Sequence, residues 1–408
     1  MPAAPDAPSA PAAPAGAAGA PPVQPAPSAT GTPASAGAAA SPAVTLSPAT
    51  GADTLLEEDE ATDLRWRGST FTWNQGGTTT LFGVGRDNIG GEDEFYGWDF
   101  TLRPNYYLLD LPKDKVTVNA EIGWVTELTN SNTTAYYREP QLKDTGLGVR
   151  YRRELWQGGG VTRDEYKTEA AVGLRVLLPT SPTSWSSGKY FALSLGPQII
   201  QKIKLLGSKA DGLGHVTATL GVTYAHLFAE SYVPVNDDIK RMRVLASSQS
   251  TRTESVFDDQ LRGASHDMDR LTTRLVLDLP LYKDLSLGMG FAMISRFKHE
   301  FEDECVALAT GCSEVRSPPN PATYFVDTEF DVHVSHPVYG VVDVALGYSN
   351  LSPQLGEDGQ RRTMFYSPGA QFYLDITANL DAIYAKVTGR GEKKDKPEMA
   401  RAGGQRHL

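Results

Sequence analysis

Residues 144–178 read DTGLGVRYRRELWQGGGVTRDEYKTEAAVGLRVLL. In the first half, one alternating set is Thr145, Leu147, Val149, Tyr151 and Leu155; the other is Asp144, Gly146, Gly148, Arg150, Arg152 and Glu154. After the turn Trp156–Gly160, the residues Tyr166, Thr168, Ala170, Val172, Leu174, Val176 and Leu178 form one face. Glu165, Lys167, Glu169, Gly173 and Arg175 interrupt the other. Side chains of a strand point alternately to opposite faces, so the stretch predicts a hairpin with one apolar and one charged face. Each strand runs to about a dozen residues, against a usual globular length of roughly five or six.

The same two-faced alternation recurs on both sides of this hairpin. Upstream it covers Phe71–Gly85, weakly and broken by Asn74-Gln75-Gly76-Gly77, then Tyr96–Leu108 and Val116–Leu128. Downstream it runs through Phe191–Ile199, Val216–Phe228, Leu271–Leu279, Leu285–Met293, Tyr324–Val334, Val342–Tyr348, Met364–Thr377 and Leu380–Val387. On strand after strand the second face is small or charged, which a dry sandwich core would penalise heavily. Connections alternate short and long without exception: 110–114, 156–163, 205–213, 280–284, 336–340 and 377–379 are short, while 86–94, 129–143, 179–189, 229–270, 298–322 and 351–362 are longer. Long strands, a polar inner face and this loop rhythm predict an all-β fold, an antiparallel up-and-down transmembrane β-barrel. Such barrels have an even strand number. The segments total one more than twelve, so either Phe71–Gly85 or Leu380–Val387 is not a full strand; twelve strands are expected, with fourteen as the alternative.

The chain has 408 residues, with 38 Lys+Arg against 49 Asp+Glu. That acidic balance argues against a general nucleic-acid surface. No run of 18 apolar residues occurs, so a transmembrane helix is excluded and any span must be made of strands. Residues 1–65 form an expected disordered arm, dominated by Ala, Pro, Gly, Ser and Thr and closed by the acidic run Glu57–Glu60. The barrel is expected over 66–388 and a disordered polar tail over 389–408. Met1–Asp6 has neither the basic start nor the apolar core of an export signal. The expectation is a signal missing from this sequence or begun upstream of Met1, with a non-exported protein as the alternative.

The span of roughly 70–388 resembles bacterial outer-membrane β-barrel proteins of the porin-like kind, in its alternation, its loop rhythm and girdle aromatics such as Tyr96, Trp98, Trp124 and Tyr348. No motif points to a subfamily. The resemblance implies an outer-membrane location, contact with outer-membrane lipid, and passive passage of small solutes. It implies no cofactor, and the arm's periplasmic partner is left unnamed.

The candidate lumen residues are Arg150, Arg152 and Arg175 with Glu121 and Glu169, and, six strand positions further round, Asp327, Glu329, Asp331 and His333. In a ring of twelve, six positions is half the circumference, so the two clusters would face each other and set up a transverse field. The competing expectation is local pairing of the arginines with Glu121, Glu154 and Glu169, which adjacent strands favour. Cys305 and Cys312 are the chain's two cysteines; in an exported loop they predict one small disulfide rather than a metal site. His333 and His336, three apart on a strand, fall on opposite faces and chelate poorly. A lipid hydrolase is the rival of another class, with Ser335, His336, Ser349 and Asn350 as candidates by residue type alone. A sealed structural or surface-interaction barrel is the third reading, its contact face being the charged loop 231–269.

Overall fold

The computed structural model describes residues 64–84, 95–129, 138–158, 166–204, 215–230, 266–282, 285–299, 304–308, 311–315, 323–353, 363–367 and 369–389. Nearly all of the expected arm, the tail and loop 231–269 lies outside these residues. The first strands are β1 (Thr70–Thr78), β2 (Tyr96–Arg103), β3 (Asn105–Asp110), β4 (Asp114–Glu127), β5 (Pro140–Leu142), β6 (Thr145–Gly158), β7 (Tyr166–Leu178) and β8 (Lys189–Lys204). Next come β9 (His215–Ala229), β10 (Asp267–Tyr282), β11 (Leu285–Lys298), β12 (Glu304–Leu308) and β13 (Gly311–Val315). The last are β14 (Tyr324–Val338), β15 (Val342–Pro353) and β16 (Gln371–Asn379).

β2 and β3 are one stave interrupted at Pro104, and both pair with β4. β5 and β6 make a second interrupted stave, again against β4. β12 and β13 form a separate hairpin between β11 and β14. The remaining strands pair antiparallel in chain order, and β1 closes the ring by pairing with β2 on one side and β16 on the other. The result is a closed barrel of twelve strands.

The closing strand is the one whose sequence signal is weakest. β1 runs straight through Asn74-Gln75-Gly76-Gly77, with Thr70 opposite Asn379 and Thr78 opposite Gln371. On its outer side, Phe71 and Trp73 join Phe100 and Trp124 in an aromatic slab. Ring centroids are 6.1 Å apart for Trp73–Phe100 and 5.1 Å for Phe100–Trp124. Such pairs are worth about 0.5–1.5 kcal/mol each beyond their burial, which fastens β1 to its neighbours where its backbone pattern is least strand-like.

Leu380–Val387, expected as a strand segment, is instead helical: α1 is a short turn at Pro182–Ser186, and α2 is Leu380–Thr388. The spacing of Leu380, Ile383, Tyr384 and Val387 is i, i+3, i+4, i+7, a helical period, and the closed ring offers no free edge for a thirteenth strand. Gly389 ends α2 at φ 65°, a left-handed cap that suits glycine. Met364–Thr377 also differs from expectation, since the strand begins only at Gln371. Residues 363–367 fold instead over the outer wall. There Asn350 donates to the Met364 carbonyl at 2.9 Å, and Ser367 donates to the Asn350 side chain at 2.7 Å.

The polarity of the wall is inverted relative to a water-soluble fold. Leu147, Val149, Leu174, Leu195, Leu220 and Leu346 are exposed on the outside, while Thr72, Glu169, Glu329, Asp331 and Asp375 are buried on the inside. Leu220 lies mid-strand between Leu275 and Ile199 in register. Leu220→Arg should therefore destabilise the barrel in lipid vesicles by about 2–4 kcal/mol, the cost of a cation at a bilayer midplane, read as a lowered urea midpoint.

Candidate functional site

The inner face divides into two sectors. In the first, β4, β6 and β7 place Glu121, Arg152, Glu169 and Arg175 on inward positions. Arg175 Nη2 lies 3.3 Å from Glu121 Oε1, although β6 stands between their strands. Gly146 makes that reach possible: a Cβ there would sit 2.6 Å from the Arg175 guanidinium. Glu121 also accepts from Arg103 Nε at 3.2 Å. Arg152 Nε donates to Glu169 Oε2 at 2.5 Å, and Lys167 Nζ is 3.0 Å from Glu169 Oε1. Arg150 Nε stands 3.0 Å from the Gln198 amide oxygen once that amide is turned to present its oxygen.

The second sector, on β10 to β16 and β1, is more deeply packed. Arg274 Nη2 donates to Glu329 Oε2 at 3.1 Å, and Arg296 Nη2 donates to Asp327 Oδ1 at 3.1 Å. Asp331 is held at both oxygens: His333 Nδ1 is 2.7 Å from Oδ1, and Tyr373 donates its hydroxyl to Oδ2 at 2.7 Å. Asn74 donates to Asp375 across the closing pair of strands. Glycines again give room. A Cβ on Gly288 would collide with the His333 ring, and one on Gly347 would collide with the Tyr373 ring. These side chains therefore lie flat along the wall rather than pointing across the barrel.

All nine expected lumen residues fall on the inner face, by the alternation of burial along their strands. In the ring, β6 with Arg150 and Arg152 stands six places from β14, and β4 and β7 stand five places from it. Yet each cluster is paired within its own wall, as the local expectation held for Arg152 and Arg175; Arg150 also reaches the Gln198 amide. Sequence reading missed Arg274, Arg296 and Tyr373 as partners. Arg274 and Arg296 were visible as charges on the inner side of their strands, but register alone identifies what each one meets.

The hydrolase candidates do not assemble. Ser335 is buried inside, 2.6 Å from Ser286 Oγ, whereas His336 is exposed on the outside. Ser349 faces in and Asn350 out, by the same alternation. The expected disulfide also lacks support. β12 and β13 set Cys305 opposite Glu314 and Cys312 opposite Ala307. That two-residue offset makes the cysteines diagonal neighbours, roughly 7–8 Å apart at such positions, beyond the usual disulfide reach.

At the long-loop rim, His266 precedes β10 and is buried, with Nε2 3.1 Å from the Ser187 carbonyl. Burial, aided by Lys189, lowers its pKa from 6.5 to about 4. The folded rim holds the imidazole neutral, so below pH 6.5 the unfolded chain binds the extra proton. Stability is then full above that pH and falls as pH drops toward 4, by at most about 1.4 kcal/mol per unit. Thermal unfolding of wild type against His266→Gln should diverge in this window and run parallel above it.

No protein-family model matches this chain, and no curated protein sequence matches it. Solved structures similar to it include outer-membrane channels and porins. An outer-membrane channel from Pseudomonas putida F1 is 10% identical over 79% of this chain and 99% of its own, with a TM-score of 0.43. The translocator domain of the autotransporter NalP from Neisseria meningitidis is 10% identical, covering 85% of this chain and 98% of its own, at TM-score 0.37. The KdgM porin is 7% identical, covering 76% and 98%, at TM-score 0.31. At these identities and TM-scores no subfamily is singled out.

The inner network makes one prediction of its own. Tyr373→Phe leaves Asp331 Oδ2, which is buried, without its hydroxyl donor. The loss should cost about 1–3 kcal/mol, measured as a shift in the denaturant midpoint of the reconstituted barrel.

Proposed function

We propose that this chain is an outer-membrane channel through which small solutes diffuse passively. The short turns, the start of β1 and the end of β16 would then face the periplasm, and the long loops the cell exterior. One observation carries the reading: inner-face arginines remain accessible to solvent inside a closed ring, with the mid-strand side chains of Arg152 20% and Arg274 26% exposed. In a barrel packed solid by its own side chains, such groups would be covered. Eight-stranded barrels are filled in that way, whereas 16-stranded porins leave an aqueous channel; twelve strands lie between. The exposed apolar outer face supports an environment of lipid rather than water, since contiguous apolar patches of that extent are rare on soluble monomers.

Purified protein inserted into planar bilayers should give discrete conductance steps, and the expressed protein should fractionate with the outer membrane and migrate heat-modifiably. A folded, heat-modifiable barrel that never conducts would favour a sealed structural barrel. Recovery as a soluble monomer would remove the membrane reading altogether.

A further inference from the structure

The chain as a whole is acidic, yet the inner wall does not present its charges evenly to water. In the pair Arg152–Glu169 the side chains are 20% and 5% exposed; in Arg274–Glu329 they are 26% and 3%; in Arg175–Glu121 they are 42% and 25%. Arg296 with Asp327 and Arg270 with Asp267 follow the same order. On β2 the pairs Arg103–Glu121 and Lys143–Asp99 are close to level, with the carboxylate slightly the more exposed. Asp331 and Asp375 are buried against the wall, beneath the interactions of Tyr373 and Asn74.

The sector formed by β6, β7 and β8 adds a surplus. Its inward positions carry Arg150, Arg152, Lys167, Arg175 and Lys202 against Glu154 and Glu169, with Glu121 of the adjoining β4 as the partner of Arg175. Beside these pairs a solute in the lumen therefore meets guanidinium and ammonium groups first, with Glu169, Glu329 and Glu121 set behind them. At an ionic strength of 0.1 M, screening extends over about 10 Å, so a solute confined beside the wall feels its outermost charges most strongly. Arginine also presents a planar fork of donors that matches oxyanions in pairs of hydrogen bonds.

Resting on the channel reading above, we propose that the lumen selects small anionic solutes, with Arg150 and Arg175 as specificity-determining residues. Reversal potentials in a KCl gradient at low salt test this, with chloride and potassium as the probes. The wild type should pass chloride in preference to potassium, and the preference should fade in molar salt. Arg150→Gln with Arg175→Gln should cut the chloride-to-potassium permeability ratio at least twofold. Arg150→Lys with Arg175→Lys should keep it, which separates charge from a structural effect of removing arginine.

Conductance that favours potassium, or neither ion, at low salt would overturn the inference while leaving the channel intact. A ratio unmoved by the double glutamine variant would overturn the assignment to these arginines. Absence of any conductance in a folded barrel would remove the channel reading, and the selectivity with it.

Discussion

A strand that meets hydrocarbon must find a partner for every backbone N–H and C=O within the protein, because lipid offers none. Closure answers that requirement, and here it depends on β1. It is nine residues long and polar in its second half, yet it pairs along one edge with β2 and along the other with β16. Without it, the edges of β2 and β16 would both be open. The aromatic slab formed with Phe100 and Trp124, and the Asn74–Asp375 contact on the inner side, hold this strand from both faces.

Closure then determines what the inside must be. Outward positions are apolar, so the polar side chains collect within, where an unpaired charge is costly. Glycines on alternate inward positions let long side chains lie along the wall and reach carboxylates two strands away. Arg175 crosses Gly146 to Glu121, and Tyr373 crosses Gly347 to Asp331. Substituting any of these glycines would push a side chain toward the axis. The same small residues thus let the wall's charges pair side by side along it.

Much of this was legible in the alternation alone. Period-two patterning located the strands from Tyr96 on β2 to Tyr348 on β15, because apolar and polar positions separate cleanly where one face meets lipid. The hairpin at 144–178 paired as its pattern implied, with Thr145 opposite Leu178 and Arg150 opposite Gly173. The errors fell where local pattern and ring topology compete. β1 looks broken by its glycines but is held by neighbours distant in sequence, whereas Leu380–Val387 alternates passably but has no edge to join. The charged residues of the lumen were identifiable as inward, but their partners were not. Register decides whether Glu329 meets Arg274, and a diagonal offset separates the cysteines although the loop between them is short.

Pairing of β1 with β16 is the claim on which closure stands, and cross-linking tests it most directly. Phe71 and Ala378 are partners in register on the outer face, where facing Cβ atoms lie about 4.5–5.5 Å apart. With Cys305 and Cys312 replaced by serine, Phe71→Cys with Ala378→Cys should form an intramolecular disulfide on mild oxidation in membranes, giving a faster-migrating species that reductant reverses. Phe71→Cys paired instead with Leu220→Cys, on the far side of the ring, should not. Failure of the first pair to cross-link in a folded barrel, or equal cross-linking by both, would contradict a ring closed by these two strands.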